Sequence, residues 1–125
     1  MLPKSLLDLF LFSHQTADFN AQLGERLCLA FNAERSAIFR LDDKGRTLRM
    51  EYGTDVDAAA IQDLTLRVGE GICGSAILSR KAVNVFDAQR SLLHDPRVGE
   101  ATGYRANSVL AIPIQYNGYV YGALE

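Results

Sequence analysis

Three glycines, Gly69, Gly71 and Gly74, spell G-x-G-x-x-G between a strand-like run, LTLRV, and a short apolar helix. Such a turn bares backbone N–H groups at a helix start, where a phosphate can be held. Asp87 lies 18 residues beyond Gly69, after the next strand-like run. A dinucleotide site keeps the acid for its ribose about 20 residues on. Cys73 sits inside the motif at the helix N-terminus, a position that can acidify a thiol. His94-Asp95 offers two metal-ligating groups, and Arg97 and Arg105 could pair a carboxylate or phosphate.

The elements that must carry these residues remove most of that chemistry. The helix after the glycines has only about ten residues before the next strand, and a dinucleotide fold needs a long one. The flanking strands alternate or carry polar residues, unlike the apolar strands of a buried parallel sheet. No second strand–helix–strand unit follows. The glycines then read as a turn, with Gly74 letting the helix sit close to the sheet. Glu70 weakens the pull on anions, so a backbone contact to a polar ligand fits better than phosphate capture. His14 and His94 are far apart, and no Cys or His neighbour completes a metal set. Cys28 and Cys73 read as small buried hydrophobes. Arg97 and Arg105 fit salt bridges within their loop equally well. No nucleophile–base pair is visible, so no catalysis is expected.

Composition agrees with a soluble single domain. The 125 residues are 48% hydrophobic and 22% charged, enough for a real core. A net charge of −2 gives no basic excess for nucleic acid. Two cysteines make no disulfide framework, which predicts a reduced, cytoplasmic compartment. The apolar N-terminus, MLPKSLLDLFLFSH, is interrupted by Asp8 and lacks a small-residue cleavage site. It is too short for the ~18 apolar residues of a membrane span and reads as a helix through Leu6, Leu7, Phe10 and Leu11.

Further along, Phe19, Leu23, Leu27, Ala30 and Phe31 predict an amphipathic helix over 16–32, with Asn32 as C-cap. Alternation predicts a hairpin with strands near 35–41 and 47–52, a short helix over 55–62 and a short strand over 63–68. The glycine helix spans 71–80 and a strand 82–86. Residues 87–106 are polar and irregular, a long loop with room for a helical turn or two, of the kind that often binds ligands. Asn117-Gly118 joins strands near 107–116 and 119–125, and Pro113 implies an edge position or a bulge. Two hairpins with interspersed helices predict an α+β domain on a mainly antiparallel sheet.

Taken together, a series of motifs resembles a GAF domain. They are Gly69-Glu70-Gly71-Ile72-Cys73-Gly74, Asn84-Val85-Phe86-Asp87, Asp95-Pro96-Arg97, Thr102-Gly103-Tyr104-Arg105, Ser108 to Ile114 and Gly122-Ala123-Leu124. Their order and spacing are those of GAF domains in cyclic-nucleotide phosphodiesterases, adenylate cyclases and bacterial signalling proteins. The resemblance covers nearly the whole chain and implies a PAS-like fold. That fold has a central antiparallel sheet of about six strands, helices packed on one face and a ligand pocket on the other. It implies one GAF-like domain over 1–125 that senses a small-molecule effector under loop 87–106, without catalysis, and relays to an output domain outside this chain. A homodimer is the expected assembly, and a ligand-free structural or dimerising module is the alternative. The family's usual C-terminal helix would follow Glu125 and is expected to be missing.

The resemblance also implies a ligand site. Backbone at Ile72 and Cys73, and the side chain of Thr102, match contacts in cyclic-nucleotide-binding members. Tyr52, Tyr104 and Arg105 complete the candidate ligand-binding set. Cyclic nucleotide is a possible ligand, but Gly99 and Ala106 stand where those members carry an acid and a threonine. The structural alternative has its own signature: Tyr52, Ile72, Phe86 and Tyr104 would fill the space between loop and sheet.

Overall fold

A computed structural model describes residues 16–125. The expected helix at Leu6–Leu11 lies outside the described residues. Helix α1 (Thr16–Phe31) is followed by β1 (Ala37–Leu41), β2 (Thr47–Gly53), α2 (Ala58–Ile61), β3 (Thr65–Arg67) and α3 (Gly71–Ser79). Then come β4 (Val83–Val85), a 3-10 turn (Ala88–Arg90), α4 (Pro96–Thr102), β5 (Val109–Tyr116) and β6 (Tyr119–Leu124). The six strands form one sheet in the order β3-β2-β1-β6-β5-β4. Every neighbouring pair is antiparallel. The expected α+β architecture is therefore present.

Local chemistry explains the joints. Asn117 and Gly118 both take positive φ, 52° and 79°, the turn whose twist matches a hairpin. Asn32, at φ 51°, ends α1 in the left-handed conformation expected of a C-cap. Pro113 pairs with Ala123, but β4 pairs β5 only over Val109–Ala111. The missing N–H of Pro113 thus falls beyond the end of β4, and the β5–β6 register shifts between Ile114 and Gln115. The loop expected over 87–106 contains α4, which begins with Pro96 and is capped by Asp95 accepting from Arg97 N at 2.9 Å.

The sheet is covered by helices on both faces, not on one as expected, because α1 packs on the face opposite to α2, α3 and α4. Ala37, Phe39, Leu48 and Met50 join Ile61, Leu66, Ile72, Ala76 and Ile77 in the main core, beneath α2, α3 and α4. Ile38 alternates with Ala37 and Phe39 and points the other way, and Tyr52, paired with it across the β1–β2 register shift, follows it. On that reverse face Gly24 of α1 lies so close to the Tyr52 ring that no side chain would fit there.

Candidate functional site

The glycine turn sets the first wall. Gly71 has φ +70°, a conformation that favours glycine. A Cβ on Gly74 would meet Arg67 O at 2.9 Å and Gly69 N at 3.1 Å. The Gly69 N–H donates to Gly74 O at 2.9 Å, folding the turn onto its own helix. The start of α3 is thereby pressed against the sheet, with Ile72 and Cys73 buried.

Between α3, the sheet and the segment 88–109 lies a cavity of about 400 Å³. Its walls include Met50, Leu66, Ile72, Cys73, Thr102 and Tyr104, and it reaches Leu27 and Phe31 of α1. Four candidate residues, Ile72, Cys73, Thr102 and Tyr104, are therefore brought together. Two are not. Tyr52 lies on the reverse face against Gly24, because the β1–β2 register shift leaves Glu51 as an extra residue between Met50 and Tyr52 and turns Tyr52 away from the Met50 side. Arg105 is exposed and outside the cavity wall. Phe86 is 84% exposed and fills nothing.

The floor holds a residue that sequence reasoning passed over. Glu125 and Ala37 exchange both backbone hydrogen bonds, at 2.7 and 2.9 Å. Directly opposed residues share a face, so Glu125 points inward with Ala37. The Cys73 thiol donates to Glu125 Oε2 at 3.2 Å. Burial pushes the Glu125 carboxyl above its ordinary value, opposed by the Cys73 hydrogen bond. Burial pushes the Cys73 thiol well above its own, and the neighbouring acid adds to this. Burial thus outweighs the helix N-terminus at Cys73, which stays a protonated donor. The parity of Ala123, Leu124 and Glu125 was the available signal.

The mouth is built differently. The Tyr104 hydroxyl donates to Glu34 Oε2 at 3.0 Å, and the Arg35 guanidinium carbon lies 4.4 Å from the ring centroid. Arg35 Nη1 also donates to Thr54 O at 3.2 Å. Burial and the Glu34 carboxylate raise the Tyr104 phenol, while Arg35 opposes them. This cluster ties the chain after α4 to the connection between α1 and β1. Thr102 Oγ1 donates to Val98 O at 2.8 Å and accepts from Tyr104 N at 3.3 Å. Its one proton is thus spent within the protein.

Arg97 serves the loop rather than the cavity. It bridges Asp95 at 2.7 Å and Glu70 at 3.0 Å, pinning the start of α4 to the glycine turn. The Arg97 hydrogen bond holds the Asp95 carboxyl below its usual range. His94 and Asp95 line the cavity, but no group of three or more metal-ligating side chains occurs among the described residues. No helix among them is long and apolar enough to cross a membrane.

Comparison with known proteins agrees with this architecture. The GAF domain from a Coxiella burnetii phosphoenolpyruvate-protein phosphotransferase superposes with TM-score 0.75 at 21% identity, covering 97% of this chain and 71% of that one. The corresponding Acinetobacter GAF domain gives TM-score 0.71 at 18% identity, covering 97% and 70%. Free methionine-R-sulfoxide reductase from Neisseria meningitidis, in complex with its substrate, gives 0.66 at 18%, covering 86% and 59%. A nitrate-binding-site mutant of NreA from Staphylococcus aureus gives 0.66 at 19%, covering 88% and 82%. These likenesses describe the fold. The GAF domain profile itself matches residues 21–125, so the chain belongs to the GAF domain family of sensory and signalling domains.

Proposed function

We propose that this domain, spanning the whole chain, is a regulatory sensor that binds a small molecule in the cavity between α3, the sheet and the segment 88–109. The observation that carries this is the cavity itself, about 400 Å³ and walled by apolar and polar groups together, as small-molecule sites are. Two of the four side chains that would have filled a collapsed pocket lie elsewhere, Tyr52 on the reverse face and Phe86 outside, while Ile72 and Tyr104 line the cavity. Two structural neighbours are proteins with a bound substrate and a nitrate-binding site, which supports ligand occupancy in this fold. Cys73 does meet a carboxyl group, that of Glu125, but burial raises the thiol well above its ordinary value and makes it a poor nucleophile, so the role we propose is regulatory rather than catalytic.

Relay would run through the mouth. Tyr104 bridges the chain after α4 to Glu34 and Arg35, just beyond the end of α1. A ligand that favours one position of that segment biases α1 with it, and so an output domain in the full-length, cytoplasmic protein. Calorimetry and thermal-shift measurement against nucleotides, amino acids, 2-oxoacids and inorganic anions tests the reading. A ligand at a hundred times its Kd stabilises by about 2.7 kcal/mol, a shift of several degrees. Absence of any shift across such a library would reject it.

The alternative is a dimerising module, favoured by one observation. Leu29 and Phe31 at the end of α1 are 83% and 55% exposed. A second copy covering them would make a homodimer. Sedimentation of the wild type against Leu29→Glu tests this, and a wild-type monomer at high concentration excludes it.

A further inference from the structure

Resting on the sensor reading, one feature narrows the ligand. Four side chains of carboxyl or guanidinium type, Glu34, Arg35, Asp95 and Glu125, line the cavity, and three are already engaged. Arg35 is held by Thr54 O and the Tyr104 ring, Glu34 by the Tyr104 hydroxyl, and Asp95 by Arg97. Glu125 differs. Among the described residues its carboxyl bonds only the Cys73 thiol, through one oxygen. Its second oxygen keeps its full accepting capacity. Backbone pairing with Ala37 fixes its inward direction, so this acid belongs to the cavity by strand register and not by rotamer.

We propose that Glu125 and Cys73 form the recognition end of the cavity, and that its occupant is a small aliphatic amine carried as an ammonium ion. An ammonium donates to the free carboxylate oxygen as a charge-assisted bond, which a low-dielectric floor strengthens. The aliphatic body then lies along Met50, Leu66, Ile72 and Val109, which supply apolar wall. A metal ion is poorly served there, since a protonated thiol is not a ligand and no third side chain among the described residues completes a set. An anion such as a cyclic phosphate would meet the Glu125 charge beside the start of α3, where backbone N–H groups would otherwise draw it. The ammonium could belong to a simple amine or to an α-amino acid, whose carboxylate would face the mouth.

The test is calorimetry and thermal shift on the 125-residue chain with butylamine, putrescine and methionine as ammonium probes, and butyrate and cyclic AMP as anions. At least one ammonium probe binds the wild type, and Glu125→Gln weakens it by at least about tenfold. Glu125→Asp, which keeps the charge, weakens it less and preserves the order of probes, so a folding defect in the first variant does not decide the matter. Binding of butylamine or putrescine identifies a simple amine, and binding of methionine alone an amino acid. Equal binding of the ammonium probe by Glu125→Gln overturns the inference. Binding of an anion and no ammonium probe overturns it while leaving the sensor reading intact. Binding of nothing overturns the inference, and failure across the wider library rejects the sensor reading as well.

Discussion

The floor and the mouth of the cavity are held by different forces. At the floor, Ile72 and Cys73 are buried, the glycine turn locks α3 to the sheet, and Glu125 is fixed by backbone pairing. At the mouth, Glu34, Arg35 and Tyr104 meet through polar side chains near the surface, on segments without sheet pairing. Packed interiors resist displacement, whereas exposed polar contacts contribute little and yield easily. A sensor gains from this division, because a rigid floor can select a ligand while a weakly held mouth moves with it.

The largest effect should come from the floor. Ile72→Ala removes buried apolar atoms at α3 and should cost about 2–5 kcal/mol in urea denaturation. A cost below about 1 kcal/mol would show that the floor is no more rigid than the mouth. Gly74→Ala should follow at about 1–3 kcal/mol, since the added Cβ meets backbone atoms that cannot swing aside.

Next comes the edge between the two regions. Asp95→Ala loses the cap of α4 and the partner of Arg97, at about 0.5–2 kcal/mol near neutral pH. The Asp95 pKa is lowered by folding, so its contribution is present above the ordinary 3.8 and fades as pH falls through the folded value. The gap between wild type and variant should therefore narrow in acid.

Glu125 has the opposite sign. Its pKa is raised by folding, so its protonated form is favoured, and that stability is complete below the ordinary 4.5 and lost as pH rises through the folded value. Thermal melts should show Glu125→Gln gaining on the wild type as pH climbs from acid to neutral. A constant difference would mean the carboxyl is not desolvated. The smallest effect belongs to the mouth: Tyr104→Phe deletes one hydroxyl contact and should cost less than about 1 kcal/mol. Faster hydrogen exchange over 103–107 than over α3 would sharpen the contrast.

Much of this was legible beforehand because it is local. Asn117-Gly118 requires its turn, alternation marks β1 and β2, and the three glycines end one strand and start one helix. Four of six candidate site residues reached the cavity because the glycine helix and the chain after α4 both border it. Tyr52 did not, since which side of a strand faces a cavity depends on register, and the β1–β2 register shifts between Ile38 and Phe39. Helix α4 was legible only as room for a helical turn or two within the loop 87–106, because its apolar contacts, Val98 and Ala101, are too few to mark its bounds.

The sequence by itself determined the family, the α+β class and the position of the glycine turn, all properties of short-range pattern. Tertiary structure decided the chemistry of the cavity. Cys73 and Glu125 are 52 residues apart and meet only because β6 pairs with β1 while α3 packs beneath them. Burial then raises both groups, an effect that no local window contains, since desolvation depends on everything that surrounds a group in space.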